Sequence, residues 1–150
     1  MIATLTIEPA HPQVARPLIE ASHRLMQALF PAESNHYLSL DALAGPDVRF
    51  LIARDGDTVL GCGALKLCDG YGEVKSMFTA PEGRGRGIAA AILTRLEAEA
   101  RAANLPCLRL ETGDLLYEAH RLYARHGFDL RGPFGDYTDD PRSLFMEKRL

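Results

Sequence analysis

The sequence predicts a single α/β (α+β) domain over residues 1–150, with a mixed sheet and helices packed on it. Two observations lead to this prediction. Strand-like segments follow one another between residues 48 and 79, which is typical of an antiparallel meander. Beyond residue 87 helical and strand-like segments alternate, which is typical of helices layered on a sheet. A chain of 150 residues also suits one hydrophobic core.

The first third of the chain predicts a strand, a helix and an irregular stretch. Residues 2–8 alternate between apolar and polar side chains, as a half-buried strand does. Residues 12–30 place apolar side chains at helical spacing, and Pro17 fits such a helix only near its start or at a kink. Residues 31–47 are irregular, with a short helix expected around 36–44.

The meander begins with a hairpin. Residues 48–54 and 58–67 are apolar, strand-like segments, and they flank the turn Asp55-Gly56-Asp57, in which the glycine supplies a positive φ. A third strand is expected at 72–79, after a loop at 68–70. These three strands are therefore expected to be antiparallel neighbours.

The last part of the chain predicts the alternating elements. A helix is expected from Ile88 to about Asn104, then a strand at 107–112 and a helix at 115–126. Gly127-Phe128 ends this second helix, because a glycine after the last turn supplies the left-handed conformation that closes it. A final strand is expected at about 143–149.

Composition excludes several classes of protein. Hydrophobic residues make up 47% and charged residues 25%, the mixture of an ordinary globular protein. The net charge of −3 disfavours a nucleic-acid binder that relies on a basic face. The sequence has no apolar run near the roughly 18 residues of a membrane span, and its start does not read as a signal peptide. We therefore expect a cytoplasmic protein with no metal, whose three cysteines, Cys62, Cys68 and Cys107, are reduced and mostly buried.

The segment with the clearest chemistry is the Gly/Arg loop, residues 79–89, between a predicted strand and a predicted helix. The first turn of a helix has N–H groups without internal partners and a partial positive charge, and both favour phosphate. Three glycines in the loop let the backbone approach a ligand closely. Arg84 and Arg86 add full positive charges. The loop therefore predicts a polyphosphate or pyrophosphate ligand, in preference to a solvated turn that binds nothing.

Two other phosphate-binding motifs fit this loop less well. A Walker loop needs Lys-Ser or Lys-Thr after its glycines, and neither occurs here. Gly85-x-Gly87-x-x-Ala90 satisfies a dinucleotide fingerprint, and Glu111 ends the next strand where a ribose-binding acid could lie. That fingerprint normally opens its domain, whereas here a hairpin and a third strand precede it. Too few residues follow Glu111 to complete a doubly wound sheet.

Residues 84–89, Arg-Gly-Arg-Gly-Ile-Ala, resemble the coenzyme A signature (Q/R)xxGx(G/A) of the GCN5-related N-acetyltransferase superfamily. Residues 119–128 are similar to the family's AxxLYxxxGF helix. Further segments, among them residues 61–66, 73–77 and 132–148, look like a bacterial subgroup of small acetyltransferases. The resemblance implies a GNAT fold, with about six to seven strands in a mixed sheet, an antiparallel N-terminal meander and about four flanking helices.

The resemblance also implies how acetyl-coenzyme A (acetyl-CoA) is held. Main-chain amides at Phe78 and Thr79 would pair with the pantetheine arm, in a V-shaped slot that a β-bulge opens. Backbone N–H groups of the signature would bind the pyrophosphate. The implied cofactor-binding residues of the signature are Arg84, Gly85, Arg86, Gly87, Ile88 and Ala89. Many relatives have asparagine seven residues before the helix tyrosine, and here that position is Leu116.

Acetyl transfer to an amine needs a neutral nucleophile and a proton for the departing thiolate. The resemblance assigns the general acid to Tyr123. Glu73, six residues before Thr79, matches the spacing of the strand glutamate that acts as base in the histone-acetylating branch, and Glu111 is its rival. His120 and His126 flank Tyr123 but are expected to be structural or surface groups.

We therefore expect an enzyme that moves an acetyl group from acetyl-CoA to a primary amine, of a small molecule, by direct attack in a ternary complex. A non-catalytic CoA-binding regulatory module and acetylation of a protein lysine or N-terminus stay open as alternatives. The acceptor pocket is expected near five residues, four of them in segments that vary within the family: Glu33, His36, Asp136 and Tyr137, with Glu111 at the end of the strand at 107–112. Relatives are usually dimers, so a homodimer is expected. The sequence does not identify the amine.

Overall fold

Seven strands form one sheet in the computed structural model, which describes residues 5–150. The strands are β1 Leu5–Pro9, β2 Val48–Asp55, β3 Thr58–Cys68, β4 Tyr71–Thr79, β5 Cys107–Gly113, β6 Asp129–Arg131 and β7 Ser143–Arg149. Their order across the sheet is β1-β2-β3-β4-β5-β7-β6. The first predicted strand is confirmed from residue 5 onward, and its residues 2–4 lie outside the described part of the chain.

The sheet is mixed, as predicted. Strands β1 to β4 pair antiparallel with their neighbours, which confirms the meander. β4 and β5 are parallel, and β7 is antiparallel to both β5 and β6. β6 was not predicted from the sequence, because a strand of three residues is too short to show an alternating pattern.

The helices are α1 Arg16–Leu29, α2 Leu40–Leu43, α3 Ile88–Ala102 and α4 Tyr117–Arg125. They lie on both faces of the sheet. The side chains of β2 show this, because alternate residues of a strand point to opposite faces. Leu51 and Ala53 pack in the cluster that contains α3 and Tyr123 of α4. Phe50 and Ile52 pack in the cluster that contains residues of α1 and α2. The predicted mixed fold with about four helices is confirmed, although α2 is shorter than expected.

Two glycines of β3 bring α3 close to the sheet. A Cβ on Gly61 would lie 2.6 Å from Cγ2 of Ile88, and one on Gly63 would lie 2.7 Å from Cγ2 of Ile92. Both distances are shorter than carbon atoms tolerate, so larger residues here would push the helix away. The start of α3, which carries the Gly/Arg loop, is thereby held against β3 and beside β4.

Candidate active site

A slot opens between β4 and β5. The two strands pair at Gly72 with Leu108 and at Glu73 with Arg109, near the start of each, and the pairing goes no further. In the β3–β4 register one residue, Gly63, faces both Ser76 and Met77, which is a β-bulge. Ser76 has a φ of 56°, in the left-handed region that non-glycine residues rarely adopt. The bulge bends β4 away from its parallel neighbour.

The strand geometry decides which amides of β4 face the slot. The Ala80 N–H donates to the Leu60 carbonyl of the meander at 2.8 Å. Backbone groups of alternate residues point to opposite sides of a strand, so Phe78 also directs its N–H toward β3. Thr79 directs its N–H into the slot. Of the two residues that the resemblance implies for the pantetheine arm, Thr79 is therefore the one with a free backbone edge.

The Gly/Arg loop has the geometry of an open anion cradle. Gly85 and Gly87 have φ values of 78° and 75°, and a Cβ on either would meet no atom within 4 Å. The first helical hydrogen bond runs from Ala91 N–H to Gly87 O at 3.0 Å. The N–H groups of residues 88–90 precede that bond and point out of the helix start, where phosphate is favoured. The backbone of this loop therefore fits a pyrophosphate.

The side chains of the loop have different surroundings. Arg86 forms an ion pair with Asp55, at 3.0 Å between Nη2 and Oδ2, which ties the loop to the β2–β3 turn. Arg84 is exposed and has no ion pair among the described residues. Ile88 is 1% exposed and belongs to the core, so only its backbone can reach a ligand. Arg84 is the loop's cation that is available to a phosphate.

A cavity of about 130 Å³ lies beside the slot. Its wall combines one face of α1, the segment 34–37, the middle of β4, the end of β5 and the inner face of α4. Phe30 closes it against Gly113, where an added Cβ would lie 2.2 Å from the ring atom Cζ. Only glycine fits at this position, because any side chain would displace the aromatic wall.

Tyr123 contributes its side chain to the cavity wall from α4. It is 6% exposed, and its ring packs edge-on against Phe128 with 5.7 Å between centroids. Burial, together with the negative charge of Glu111, raises the pKa of the Tyr123 phenol above its ordinary value. The phenol therefore keeps its proton at neutral pH and has a proton to give.

Glu111 lies on the same wall, near the end of β5. Ser143 Oγ donates to its Oε2 at 2.7 Å. Burial raises the pKa of this carboxyl, and the Ser143 hydrogen bond and the charges of His36 and Lys75 oppose the rise. A carboxylate with a raised pKa is a stronger base than an exposed one. The position of Glu111 and its pKa both suit a proton acceptor.

Glu73, the other candidate base, is engaged in a buried network with Lys75 and Tyr137. Lys75 Nζ lies 3.3 Å from Glu73 Oε2, and the Tyr137 hydroxyl donates to the same oxygen at 2.5 Å. Lys75 Nζ also donates to the hydroxyl of Tyr137 and to the His36 carbonyl, both at 2.9 Å. Glu73 does not line the cavity. Its carboxylate is already paired with Lys75 and hydrogen-bonded to Tyr137, away from the cavity wall.

Of the five residues expected near the acceptor pocket, Glu111 lines the cavity, and the structure divides the other four. His36 lines the cavity, and its ring packs edge-on against Tyr137 with 5.1 Å between centroids. Tyr137 reaches the site through its hydroxyl. Glu33 and Asp136 are exposed and outside the cavity wall, because each side chain points to solvent from its turn. In the first segment His36 is part of the cavity wall, and in the second Tyr137 only contacts the wall, through the hydrogen bond that its hydroxyl accepts from Lys75.

The two histidines that flank Tyr123 are His120, within α4, and His126, which follows the last residue of that helix. His120 Nε2 lies 2.7 Å from the Gly113 carbonyl oxygen and links α4 to the end of β5. The His126 side chain lies beside Glu97 and Lys148, and burial lowers its pKa. Burial also raises the pKa of Cys62 to about 12, so this thiol is unreactive.

Two residues of the site, Lys75 and Ser143, were not predicted from the sequence. Lys75 stands two residues after Glu73, and residues at that spacing share a face of a strand, so their pairing could have been predicted. Ser143 meets Glu111 because β7 pairs with β5, with Gly113 opposite Ser143. Nothing local in the sequence indicates that contact, which joins residues 32 positions apart.

Neither a metal-ligand cluster nor a membrane-spanning helix occurs in residues 5–150. No group of three or more His, Cys, Asp or Glu side chains in this range could hold a metal ion. No helix of this part of the chain is long and apolar enough to cross a membrane.

Comparison with known proteins identifies the class to which this fold and slot belong. The Acetyltransferase (GNAT) family matches residues 16–128, which include the slot, the Gly/Arg loop and Tyr123. The chain belongs to this family, and it is an acetyl-CoA-dependent N-acetyltransferase by that membership and by its named relatives.

Two named relatives and two solved structures show how similar this chain is to known proteins. The IAA acetyltransferase of Azospirillum brasilense is 56% identical, over 89% of this chain and 88% of its own length. The N-acetyltransferase YsnE of Bacillus subtilis is 41% identical, over 83% and 85% of the two chains. A solved structure from Klebsiella pneumoniae, described as an acyl-CoA N-acyltransferase, has a TM-score of 0.83 at 34% identity and covers 99% of both chains. A coenzyme A complex of PaiA N-acetyltransferase from Thermoplasma acidophilum shares the fold, with a TM-score of 0.73 at 17% identity and coverage of 97% and 99%.

Proposed function

We propose that this enzyme transfers the acetyl group of acetyl-CoA to the primary amine of a small molecule, by direct attack in a ternary complex. One observation carries the proposal. The cavity lined by Tyr123 and Glu111 lies where β4 and β5 no longer pair, and β4 continues from there to the Gly/Arg loop. A donor and an acceptor that enter from opposite sides would therefore meet beside these two side chains.

The backbone holds the donor in this proposal. N–H groups of residues 85–89 bind the pyrophosphate, and the Arg84 side chain is the added cation, because the Arg84 N–H already donates to the Pro81 carbonyl. The Thr79 amide pairs with the pantetheine arm at the open edge of β4. Phe78 precedes Thr79 in the same strand and supports it there. Acetyl-CoA supplies the activated acyl group and a thiolate leaving group.

Glu111 and Tyr123 handle the two protons. An alkyl amine with a solution pKa near that of lysine, about 10.4, is protonated at neutral pH and must lose a proton before it attacks. Glu111 accepts that proton, because it lines the cavity and burial raises its pKa. Tyr123 donates a proton to the departing sulfur. Glu73 serves as the counter-ion of Lys75, at 3.3 Å, in place of the base role that its spacing suggested.

Acetylation of IAA is the second candidate, because a relative that is 56% identical has that name. The cavity wall of this chain includes seven apolar side chains: Ile19, Met26, Phe30, Val74, Met77, Leu116 and Ala119. A wall of this composition suits an apolar acceptor. IAA is therefore assayed beside the amines, and a higher rate with IAA than with every amine would favour this candidate.

The test separates binding from turnover. Calorimetry with acetyl-CoA should show one site per chain, and release of free thiol should then be followed with a panel of primary amines and IAA. Failure to bind acetyl-CoA at millimolar concentration would contradict the proposal. Binding without acetylation of any acceptor would instead support a regulatory module. Acetylation of an added protein but of no small molecule would support the protein-modifying alternative.

A further inference from the structure

The charges around the cavity beside Tyr123 limit which acceptors can enter it, and this inference rests on the function proposed above. Apart from the imidazoles of His23 and His36 on the wall, and Asp140, which accepts a hydrogen bond from Ser34 of the wall, three charged side chains come near the cavity: Glu73, Lys75 and Glu111. Which of them is already paired decides what charge the cavity offers to an incoming molecule.

All three N–H donors of Lys75 already have acceptors within the protein. An ammonium group has three N–H donors. Here they meet three acceptors, the His36 carbonyl, the Tyr137 hydroxyl and Glu73 Oε2, at 2.9, 2.9 and 3.3 Å. The Lys75 side chain is only 10% exposed. An acceptor carboxylate could bind Lys75 only by displacing one of these buried partners.

Glu111 is the charge that remains. Its hydrogen bond is from a neutral hydroxyl, that of Ser143, and no ion pair to it occurs among the described residues. His23, also on the cavity wall, stacks on Tyr37 at 3.9 Å, and burial lowers its pKa. With Glu73 and Lys75 paired to each other, the carboxylate on the cavity wall, Glu111, is left without an ion pair among the described residues. It therefore favours an ammonium group and disfavours a second carboxylate.

The rest of the cavity sets the size of the acceptor. The volume of about 130 Å³ is slightly below that of a protein cavity of about 150 Å³ that takes up benzene. Apolar side chains form much of the wall, including Ile19 and Met26 of α1 and Leu116 before α4. A body about as large as one six-membered ring fits this space.

We propose that the acceptor is a small monocationic amine whose body is uncharged and largely apolar, and that Glu111 excludes amines that also carry a carboxylate. Phenethylamine, L-phenylalanine and L-phenylalaninamide test this, because they share a skeleton and differ in the group on one carbon. They are compared by kcat/KM at pH 8, where an ordinary imidazole is neutral.

Phenethylamine and phenylalaninamide should both exceed phenylalanine by about 10-fold or more, since an unpartnered carboxylate is costly to bury. Equal use of phenylalanine and phenethylamine would overturn the inference. If phenylalaninamide is used as poorly as phenylalanine, the inference is also overturned, because the exclusion would then be steric. If none of the three is acetylated but IAA or another panel member is, the inference fails and acetyl transfer stands. If no acceptor works, the proposed function itself fails.

A substitution identifies the charge responsible. Glu111→Gln should lower kcat for every acceptor and also reduce the preference for phenethylamine over phenylalanine by about fivefold or more. Glu118→Gln, on the exposed face of α4, is the matched control and should leave that ratio unchanged. An unchanged ratio in Glu111→Gln, with melting temperature and acetyl-CoA affinity retained, would show that Glu111 does not select the acceptor.

Discussion

Replacing Lys75 by methionine would remove the charge that balances Glu73 and leave that carboxylate buried. The side chains of Lys75 and Glu73 are 10% and 8% exposed, so solvent screens their interaction little. Removing one partner of such a pair typically costs about 3–5 kcal/mol of unfolding free energy. For a chain of this length each kcal/mol lowers the melting temperature by roughly 2–4 °C. We expect Lys75→Met to melt roughly 6–20 °C below the unmodified protein.

The double variant Glu73→Gln/Lys75→Met supplies the control. It removes both charges and leaves an amide oxygen that can accept from the Tyr137 hydroxyl, so it should be more stable than Lys75→Met alone. Melting followed by circular dichroism and urea unfolding measure the two differences. A loss below about 1 kcal/mol in Lys75→Met, typical of an exposed pair, would refute the reasoning. So would a double variant whose loss equals the sum of the single losses, because the two groups would then be uncoupled.

Three further predictions concern catalysis and donor binding. Tyr123→Phe should lower kcat by about 100-fold or more and leave acetyl-CoA affinity within about twofold, as calorimetry and thiol release will show; a large loss of affinity would mean a structural role. In the unmodified enzyme the rate should rise with pH through the Glu111 pKa, which lies above the ordinary carboxyl value, and this limb should vanish in Glu111→Gln. If the pH–rate profile is unchanged, Glu111 is not the base. Arg84→Ala should weaken acetyl-CoA binding by about 10-fold and more than Arg86→Ala does, since Arg86 is paired with Asp55. The opposite order would show that the ion pair opens to the ligand.

Much of the fold could be predicted because local patterns report it. The apolar run in residues 48–54 marks a strand with two covered faces, and helical spacing from Ile88 marks a helix on the sheet. The loop between 79 and 88 predicts a phosphate ligand because its chemistry depends on backbone conformation at a helix start, which a run of glycines reports directly. β6, with three residues, lies below the length at which such a pattern can be recognised.

The candidate base illustrates a limit of local patterns. Spacing along β4 placed Glu73 and Thr79 correctly on one strand, but spacing says nothing about what covers a side chain. Tyr137 arrives from a loop 64 positions away and engages the carboxylate at 2.5 Å. The sequence indicated Glu111 only as a rival of Glu73 for the role of base. Its place on the cavity wall depends on how β5 diverges from β4, which local spacing does not report.

The sequence by itself determined the mixed fold, the family through its Gly/Arg loop and the Tyr123 helix, and hence the acetyl donor that this class uses. Each of these depends on contiguous residues, whose identities constrain backbone conformation and hydrogen bonding locally. Only the tertiary structure decided which charges in the cavity are already paired. Lys75 and Glu73 of β4 neutralise each other and both bond to Tyr137 from a distant loop, and Glu111 is left on the cavity wall. Electrostatic interactions depend on distance and burial in space, and a linear sequence does not contain either quantity.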